Sequence, residues 1–187
     1  MSKLIVTEFV TLDGVMEAPG GEPSHPHSGW VFDFMSPEQE QWKLREALEA
    51  GSHLLGRVTY EGFAAAWPQR EGEFADHINS MPKYVVSSTL SEPLEWENST
   101  LISGDVADQV GKLKERDEAP ILVAGSATLV HFLIENGLVD ELRLMVFPVV
   151  LGGGKRPFPE NGQKKPFRLA GTETFESGVA VNTYEPA

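Results

Sequence analysis

Two short stretches of this sequence have the composition of a turn that binds a phosphate group. In each, an apolar run ends at a glycine, and a hydroxyl residue follows where a helix can begin. The two stretches are Gly56-Arg57-Val58-Thr59 and Gly125-Ser126-Ala127-Thr128-Leu129. A helix N-terminus presents free N–H groups and a partial positive charge, and glycine lets the backbone approach an anion closely. Two such turns in one small chain predict a ligand with two phosphates, hence a dinucleotide.

A purely structural interpretation of each turn stays open. Serine and threonine are favoured residues for capping a helix, so either junction could serve only to start one. The pair of turns, with Arg57 inside the first, favours binding. The chain carries a net charge of −13, and an acidic protein that binds a polyanion must gather positive charge locally. Arg57 is well placed to supply that charge.

Composition narrows the class of protein. At 187 residues, with 41% hydrophobic and 23% charged residues, the chain is expected to form one globular domain over residues 1–187. The charge of −13 argues against binding nucleic acid or an anionic membrane, and the apolar runs are too short to span a bilayer. The absence of cysteine excludes disulfides and thiolate zinc sites. We therefore expect a protein of the reducing cytoplasm.

The order of elements predicts an α/β three-layer sandwich with a mixed, mostly parallel sheet and antiparallel carboxyl-terminal strands. A buried strand over residues 3–10 precedes a long loop over residues 11–35. Ser36 and Gln39 predict a capping box at the start of the first helix. That helix is expected to bury a stripe formed by Leu44, Ala47 and Leu48. The remaining helices and short strands alternate up to Asn136, and a hairpin turn at residues 176–178 joins the last two strands.

Four stretches in a fixed order carry a resemblance to a known family. They are Thr11-Leu12-Asp13-Gly14, the motif from Gly56 to Glu61, the motif from Gly125 to Leu129, and Leu138-Val139-Asp140-Glu141-Leu142 leading to Gly152-Gly153-Gly154. With them the chain resembles the dihydrofolate-reductase-like superfamily. Within it, the chain is most similar to stand-alone relatives of the reductase domain of riboflavin biosynthesis, the RibD C-terminal family.

The resemblance implies a reductase that transfers a hydride from NADPH to a small planar heterocycle, pteridine-like or pyrimidine-like. It places Arg57 and Thr59, with Gly56, on phosphates of the cofactor, and Ser87 and Ser88 beside the ribose 2′-phosphate. The pyrophosphate of the cofactor would lie on the turn formed by Gly125, Ser126, Ala127, Thr128 and Leu129. An arginine beside hydroxyls suits a dianionic phosphate and favours NADPH over NADH.

On the substrate side, Asp13 has two equally supported interpretations. It either braces the turn before Gly14 or acts catalytically beside the nicotinamide, in contact with the substrate. In this family the loop that contains Trp30 and Phe34 walls the substrate, although aromatic side chains in a long loop equally serve as core plugs. Dihydrofolate reductases carry an acid on the first helix, and here Glu40 and its neighbour Glu38 lie near the start of that helix.

Further expectations concern metals, assembly and competing functions. His25 and His27, with Glu22 the nearest carboxylate, do not make a convincing ligand set, so no metal is predicted. The resemblance implies a homodimer, and the apolar faces of the strands after Val139 could extend across a partner. The zinc deaminase activity of the complete riboflavin enzyme is absent, because its cysteine ligands are missing. A genuine dihydrofolate reductase, or a catalytically silent regulatory protein that binds NADPH, remain the alternatives.

Overall fold

One mixed sheet organises the fold in a computed structural model that describes residues 1–116 and 119–187. In these residues the sheet has eight strands, which are β1 (Leu4–Thr11), β2 (Ser52–Gly56), β3 (Lys83–Val86), β4 (Ser99–Ile102), β5 (Ile121–Ala124), β6 (Glu141–Phe147), β7 (Phe167–Thr174) and β8 (Ala180–Pro186). Their spatial order is β4-β3-β2-β5-β1-β6-β8-β7. The strands from β4 to β6 in that order pair in parallel, and β8 is antiparallel to both β6 and β7. The predicted mixed sheet with antiparallel carboxyl-terminal strands is confirmed.

Helices cover both faces of this sheet. They are α1 (Pro37–Glu49), α2 (Arg57–Ala66), α3 (Glu73–Ser80), α4 (Val106–Arg116) and α5 (Ala127–Glu135), with a 3-10 turn at Trp67–Gln69 after α2. Apolar residues of α4 and α5 pack on one face, and those of α1, α2 and α3 pack on the other. This is the predicted three-layer sandwich. Within the described residues, no helix combines the length and the apolar character needed to cross a membrane.

The first helix begins as predicted but buries a different face. Ser36 accepts a hydrogen bond from the backbone N–H of Gln39, and the Gln39 side chain accepts one from the backbone N–H of Ser36, which completes the capping box. The predicted apolar stripe is wrong at Leu48, which is 43% exposed, although Ala47 is buried. The other buried positions are Gln39, Trp42 and Glu46. Polar residues occupy this face because α1 covers a hydrogen-bonded charge network rather than a purely apolar core.

The connection that follows strand β5 leads to the opposite face of the sheet from those that follow its two neighbours. The helices that follow its neighbours β1 and β2 pack on one face of the sheet, whereas α5, which follows β5, packs on the other. Connections that leave neighbouring strands in opposite directions open a crevice at the carboxyl edge of the sheet. Ligands of α/β proteins bind preferentially at such points. The carboxyl ends of β2, β5 and β1 are therefore where a binding site is expected.

Candidate functional site

The two glycine turns meet at this edge of the sheet. Ser126 Oγ accepts a hydrogen bond from the backbone N–H of Gly56 at 2.9 Å. The same hydroxyl donates to Thr59 Oγ1 at 2.8 Å. These two bonds join the N-terminus of α5 to the N-terminus of α2, although the residues are about 70 positions apart in sequence. The turns that the sequence suggested separately thus form one surface.

Neither helix is capped by its own preceding side chain. Ser126 occupies the N-cap position of α5 in a left-handed conformation with φ of 62°, and its side chain makes no capping hydrogen bond. Gly56, the N-cap of α2, has no side chain that could make one. In the described part of the chain, the first-turn N–H groups of both helices therefore lack a side-chain cap. Such groups are available to an anion, and their dipoles favour its charge.

Glycine is required at position 125 by its surroundings. Gly125 has a φ of +66°, where side chains other than glycine are strained. A Cβ atom at this position would lie 3.0 Å from Thr59 Oγ1 and 3.1 Å from its Cγ2. The space that a side chain at position 125 would need is thus already occupied by Thr59 of the opposite turn. A side chain added here would displace Thr59 before it met any ligand.

Further along α5, the turn contributes mainly backbone. Leu129 is buried in the core, so only its N–H group could face a ligand. Ala127 is half-buried and Thr128 is exposed. This part of the predicted site therefore presents backbone N–H groups and the Thr128 hydroxyl.

Arg57 and the two serines lie on the adjoining part of the edge. The register of β2 and β3 pairs Gly56 with Val86, which places Arg57 and Ser87 side by side just beyond the two strands. The Arg57 side chain is 43% exposed and forms an ion pair with Glu61 at 2.9 Å. The Ser87 hydroxyl accepts hydrogen bonds from the backbone N–H groups of Thr89 and Leu90, at 3.1 Å and 3.0 Å.

The two serines therefore differ in what they offer a ligand. Ser87 is buried and its hydroxyl braces the turn that follows β3. Ser88 is exposed. Of the two hydroxyls predicted to meet the cofactor, that of Ser88 is the accessible one.

Asp13 ties two loops together. Its carboxylate accepts hydrogen bonds from the Thr11 hydroxyl at 2.6 Å and from the backbone N–H groups of Leu151 at 3.2 Å and Gly152 at 2.8 Å. The Thr11 hydroxyl and these backbone donors lower the pKa of Asp13 to about 2. Asp13 is therefore ionised at neutral pH. These bonds are the ones expected of a bracing residue: Asp13 contacts Thr11 within the turn before Gly14 and reaches Leu151 and Gly152 of a second loop. Its catalytic role stays a prediction.

The aromatic residues of the long loop pack inward. Trp30 is 4% exposed, donates from Nε1 to the carbonyl oxygen of Glu17 at 2.9 Å, and contacts the Phe147 ring edge-on at 5.3 Å between centroids. Phe34 is half-buried against the same Phe147 ring at 6.2 Å. The indole of Trp30 is enclosed in the core, as expected of a core plug, and its contact with a substrate stays a prediction. Phe34 retains an accessible part.

The charged residues that α1 turns toward the sheet are not those expected. Glu40 is exposed, and so is Glu38. Lys43 and Glu46 face inward instead, and they form an ion pair with each other. Lys43 Nζ also donates to Thr7 Oγ1 at 3.2 Å, and Glu46 accepts from Arg143 at 3.2 Å. Positions 39, 42, 43 and 46 have the spacing of one helix face, which is the signal that could have revealed it. Most of these residues are polar, however, and apolar periodicity does not identify a polar face as buried.

Glu8 of β1 is a further buried residue that was not predicted from the sequence. Its side chain is buried, and its Oε2 accepts a hydrogen bond from the backbone N–H of Gly125 at 3.0 Å. Burial raises the pKa of the Glu8 carboxyl well above its usual range. The signal in the sequence was the single acidic residue of a mostly apolar strand.

Known proteins match this chain over almost its whole length. Residues 2–181 match the family model described as the RibD C-terminal domain. The uncharacterized protein YyaP of Bacillus subtilis is 31% identical over 188 residues, which cover 97% of this chain and 94% of that protein. Both findings concern the sequence alone.

Two solved structures show the same fold. A putative riboflavin biosynthesis protein from Shewanella sp. PV-4 superposes with a TM-score of 0.77 at 21% identity, covering 100% of this chain and 99% of that chain. A dihydrofolate reductase from Enterococcus faecalis, complexed with NADP(H) and RAB-propyl, superposes with a TM-score of 0.64 at 17% identity, covering 98% of this chain and 96% of that one. By the match over residues 2–181, the chain belongs to the RibD C-terminal domain family, and it shares its fold with both of these proteins.

Proposed function

We propose that this chain binds NADPH along the carboxyl ends of β3, β2 and β5 and transfers its hydride to a small planar heterocycle. The observation that carries the proposal is the junction of two uncapped helix N-termini through Ser126, Gly56 and Thr59. Two anion-binding helix ends side by side match the two phosphates of a dinucleotide pyrophosphate. The fold is that of reductases, which supports the same assignment.

Each part of the edge would hold one part of the cofactor. The N–H groups at the start of α5, with the Thr59 hydroxyl, would bind the pyrophosphate. Arg57 and Ser88 would bind the ribose 2′-phosphate, and a charge-assisted contact from Arg57 would give the preference for NADPH over NADH. Arg57 must first leave Glu61, which is an exposed partner and costs little to release.

The protein's part in the reaction is orientation and exclusion of water. When bound, NADPH supplies the hydride, and the fold holds its reactive ring against the substrate. Asp13 keeps the loop at Leu151 and Gly152 against the end of β1, and so fixes the shape of this part of the edge. Phe34 offers an aromatic surface on the loop side, where a flat pteridine-like or pyrimidine-like ring would stack.

The test has two steps. Calorimetric titration with NADPH and NADH measures binding, and loss of NADPH absorbance with a panel of pteridines, pyrimidines and dihydrofolate measures turnover. We expect NADPH to bind more tightly than NADH and at least one heterocycle to be reduced. Turnover of dihydrofolate at ordinary enzyme rates, blocked by an antifolate, would identify a dihydrofolate reductase instead. Tight binding with no turnover across the panel would identify a silent binding protein, and no binding would refute the proposal.

A further inference from the structure

Glu8 is enclosed directly beneath the turn between β5 and α5. Its side chain is 4% exposed, and on β6 its neighbour in the parallel register is Leu144. One carboxyl oxygen, Oε2, accepts the hydrogen bond from Gly125 N–H at 3.0 Å. The other, Oε1, is buried without a hydrogen-bond partner among the described residues. An acidic group in this position needs a physical explanation, because an ionised carboxylate without compensating partners is costly to bury.

Charged groups on the surrounding elements do not compensate Glu8. Strand β5 has no ionisable side chain. The other packed elements carry these ionisable side chains: Glu38, Glu40, Lys43, Arg45, Glu46 and Glu49 on α1, His131 and Glu135 on α5, and Glu141 and Arg143 on β6. Lys43 is bonded to Thr7 and Glu46, and Arg143 to Glu46 and Glu141, so both cations are paired elsewhere. Lys43 attracts and Glu46 repels a charge on Glu8, and neither outweighs its burial.

Protonation removes the cost of a buried charge, and it also suits an anion bound above the turn. A neutral carboxylic acid still accepts the Gly125 N–H bond through Oε2. It places no negative charge beneath the N-terminus of α5, whereas a carboxylate there would repel a phosphate at short range through a medium of low polarity. Gly125 and Ser126 both have positive φ, and an N–H bond fixed at the first of them holds this unusual pair of conformations in place.

We propose that Glu8 is a positioning residue for the cofactor's pyrophosphate, which it serves as a neutral acid by fixing Gly125 so that the following N–H groups of α5 face the anion. The inference rests on the proposed binding of NADPH at this turn. It adds that cofactor binding requires the proton on Glu8. Binding must then weaken wherever that proton is lost.

A first experiment tests the proton without the cofactor. The side-chain carboxyl carbon of Glu8 is followed by ¹³C NMR from pH 4 to pH 9, and the signal is assigned by its disappearance in Glu8→Gln. We expect the chemical shift of a protonated acid to persist well above the pH at which the exposed glutamates have ionised. A Glu8 signal that titrates together with those of the exposed glutamates would overturn the neutral form, whatever the protein binds.

A second experiment measures NADPH affinity by calorimetry over the same pH range for the wild type, Glu8→Gln and Glu8→Leu. Glutamine keeps a carbonyl oxygen for Gly125 and cannot ionise, so we expect its affinity at pH 6 to lie within about twofold of the wild type. Leucine leaves the Gly125 N–H unpaired, and we expect a loss of about tenfold or more. Above the pH at which Glu8 ionises, the wild type should lose up to about tenfold in affinity per pH unit relative to Glu8→Gln.

The ratio of wild type to Glu8→Gln cancels the ionisation of the cofactor's own 2′-phosphate. Glu46→Gln is the matched control, since it changes another buried carboxylate that does not contact the turn. At pH 6 it should lower the melting temperature without changing NADPH affinity. Equal affinities for Glu8→Leu and wild type, or a constant ratio across the pH range in which the ¹³C signal shows Glu8 losing its proton, would overturn the role of Glu8 while leaving the proposed function intact. A wild-type protein that binds no NADPH would overturn both.

Discussion

The hydroxyl of Ser126 donates to the hydroxyl of Thr59 at 2.8 Å and so joins the first turns of two helices that lie on opposite faces of the sheet. The same Ser126 oxygen accepts from Gly56 N–H, so a single serine is hydrogen-bonded to two positions of the other turn. Serine at the start of a helix ordinarily caps that helix. Here Ser126 is instead bonded to the start of the neighbouring helix α2, and the relative position of the two helix ends depends on these bonds.

Removal of the Thr59 hydroxyl should loosen this junction. Thr59→Val keeps the shape of the side chain but leaves the Ser126 hydroxyl without its acceptor, so we expect a loss of about 1 kcal/mol in the free energy of unfolding. NADPH affinity should fall several-fold in the same sample, because the two helix ends are no longer held in register. Thr100→Val, on an exposed strand position, is the control and should change neither quantity. An unaltered affinity in Thr59→Val would mean that the junction serves stability alone.

Arg57 should set the choice between the two nicotinamide cofactors. Arg57→Ala is expected to weaken NADPH binding by roughly 1.5–3 kcal/mol, the size of a charge-assisted contact, and to affect NADH much less. Glu61→Gln should act in the opposite direction, because it frees Arg57 from its present ion pair. Calorimetric titration of both variants with both cofactors checks the pair of predictions. Equal losses for NADPH and NADH in Arg57→Ala would place the 2′-phosphate elsewhere.

Gly125 should tolerate no side chain. Gly125→Val forces a β-branched residue into a φ of +66° and against Thr59, so we expect a loss of roughly 1–3 kcal/mol in stability and no measurable NADPH binding by the folded fraction. Gly62→Ala is a control within α2, where an added Cβ meets nothing within 4 Å. It should raise stability by about 0.5–1 kcal/mol. Normal affinity in the folded fraction of Gly125→Val would show that the turn does not contact the cofactor.

His53 should make the fold sensitive to acid. Burial, and secondarily the nearby positive charges, lower the pKa of His53 to about 3 from its ordinary 6.5. Between these pH values the unfolded chain binds a proton that the folded chain does not. The free energy of unfolding therefore falls as the pH drops from 6.5 toward 3, by up to about 1.4 kcal/mol per pH unit.

Denaturation at several pH values tests this prediction. His53→Leu should flatten the dependence over that range, even if it alters stability at neutral pH. His27→Gln removes an exposed histidine and should leave the dependence unchanged. A slope in His53→Leu as steep as that of the wild type would assign the acid sensitivity to other groups.

We also propose that the chain forms a homodimer. Strand β7 is the edge of the sheet beside β8, and its residues are exposed except for Phe167, which is half-buried. The side chain of Leu169 on this strand is apolar, and the residue is 57% exposed. Light scattering at micromolar concentration should give the mass of two chains, and the mass of one chain would refute the proposal. Leu169→Lys should then shift the mass toward the monomer if this edge contributes to the interface.

Apolar periodicity predicted the elements whose buried face is apolar. The stripe Leu129, Val130, Leu133 and Ile134 of α5 is buried as expected, because removal of hydrocarbon from water decides which face turns inward. The same reasoning failed for α1, whose buried face includes Gln39 and Glu46. There Glu46 is bonded to Thr7 of β1 and Arg143 of β6, and Gln39 to Ser177. The pattern within one helix contains no information about these partners.

The site could be predicted in its parts but not in its assembly. Both glycine turns were visible in the sequence, since glycine and hydroxyl residues at a strand end are local signals. The bonds from Ser126 to Gly56 and Thr59 were not visible, because they depend on the order of strands in the sheet. Glu8 was missed for the same reason, since its partner is the backbone of Gly125, which lies 117 positions away.

The separation of Ser126 from its partners also bears on how the chain folds. Gly56 and Ser126 are 70 positions apart, and β5, which separates β2 from β1, enters the sheet only after four other strands have been synthesised. A ligand that spans both turns therefore finds its site only in a chain whose central pairing is complete, and it has no counterpart in partly folded states. Such a ligand acts as a selective stabiliser of the finished fold, with an effect that grows with the logarithm of its concentration. The cellular supply of the nucleotide would then help to set how long each copy of this protein survives proteolysis.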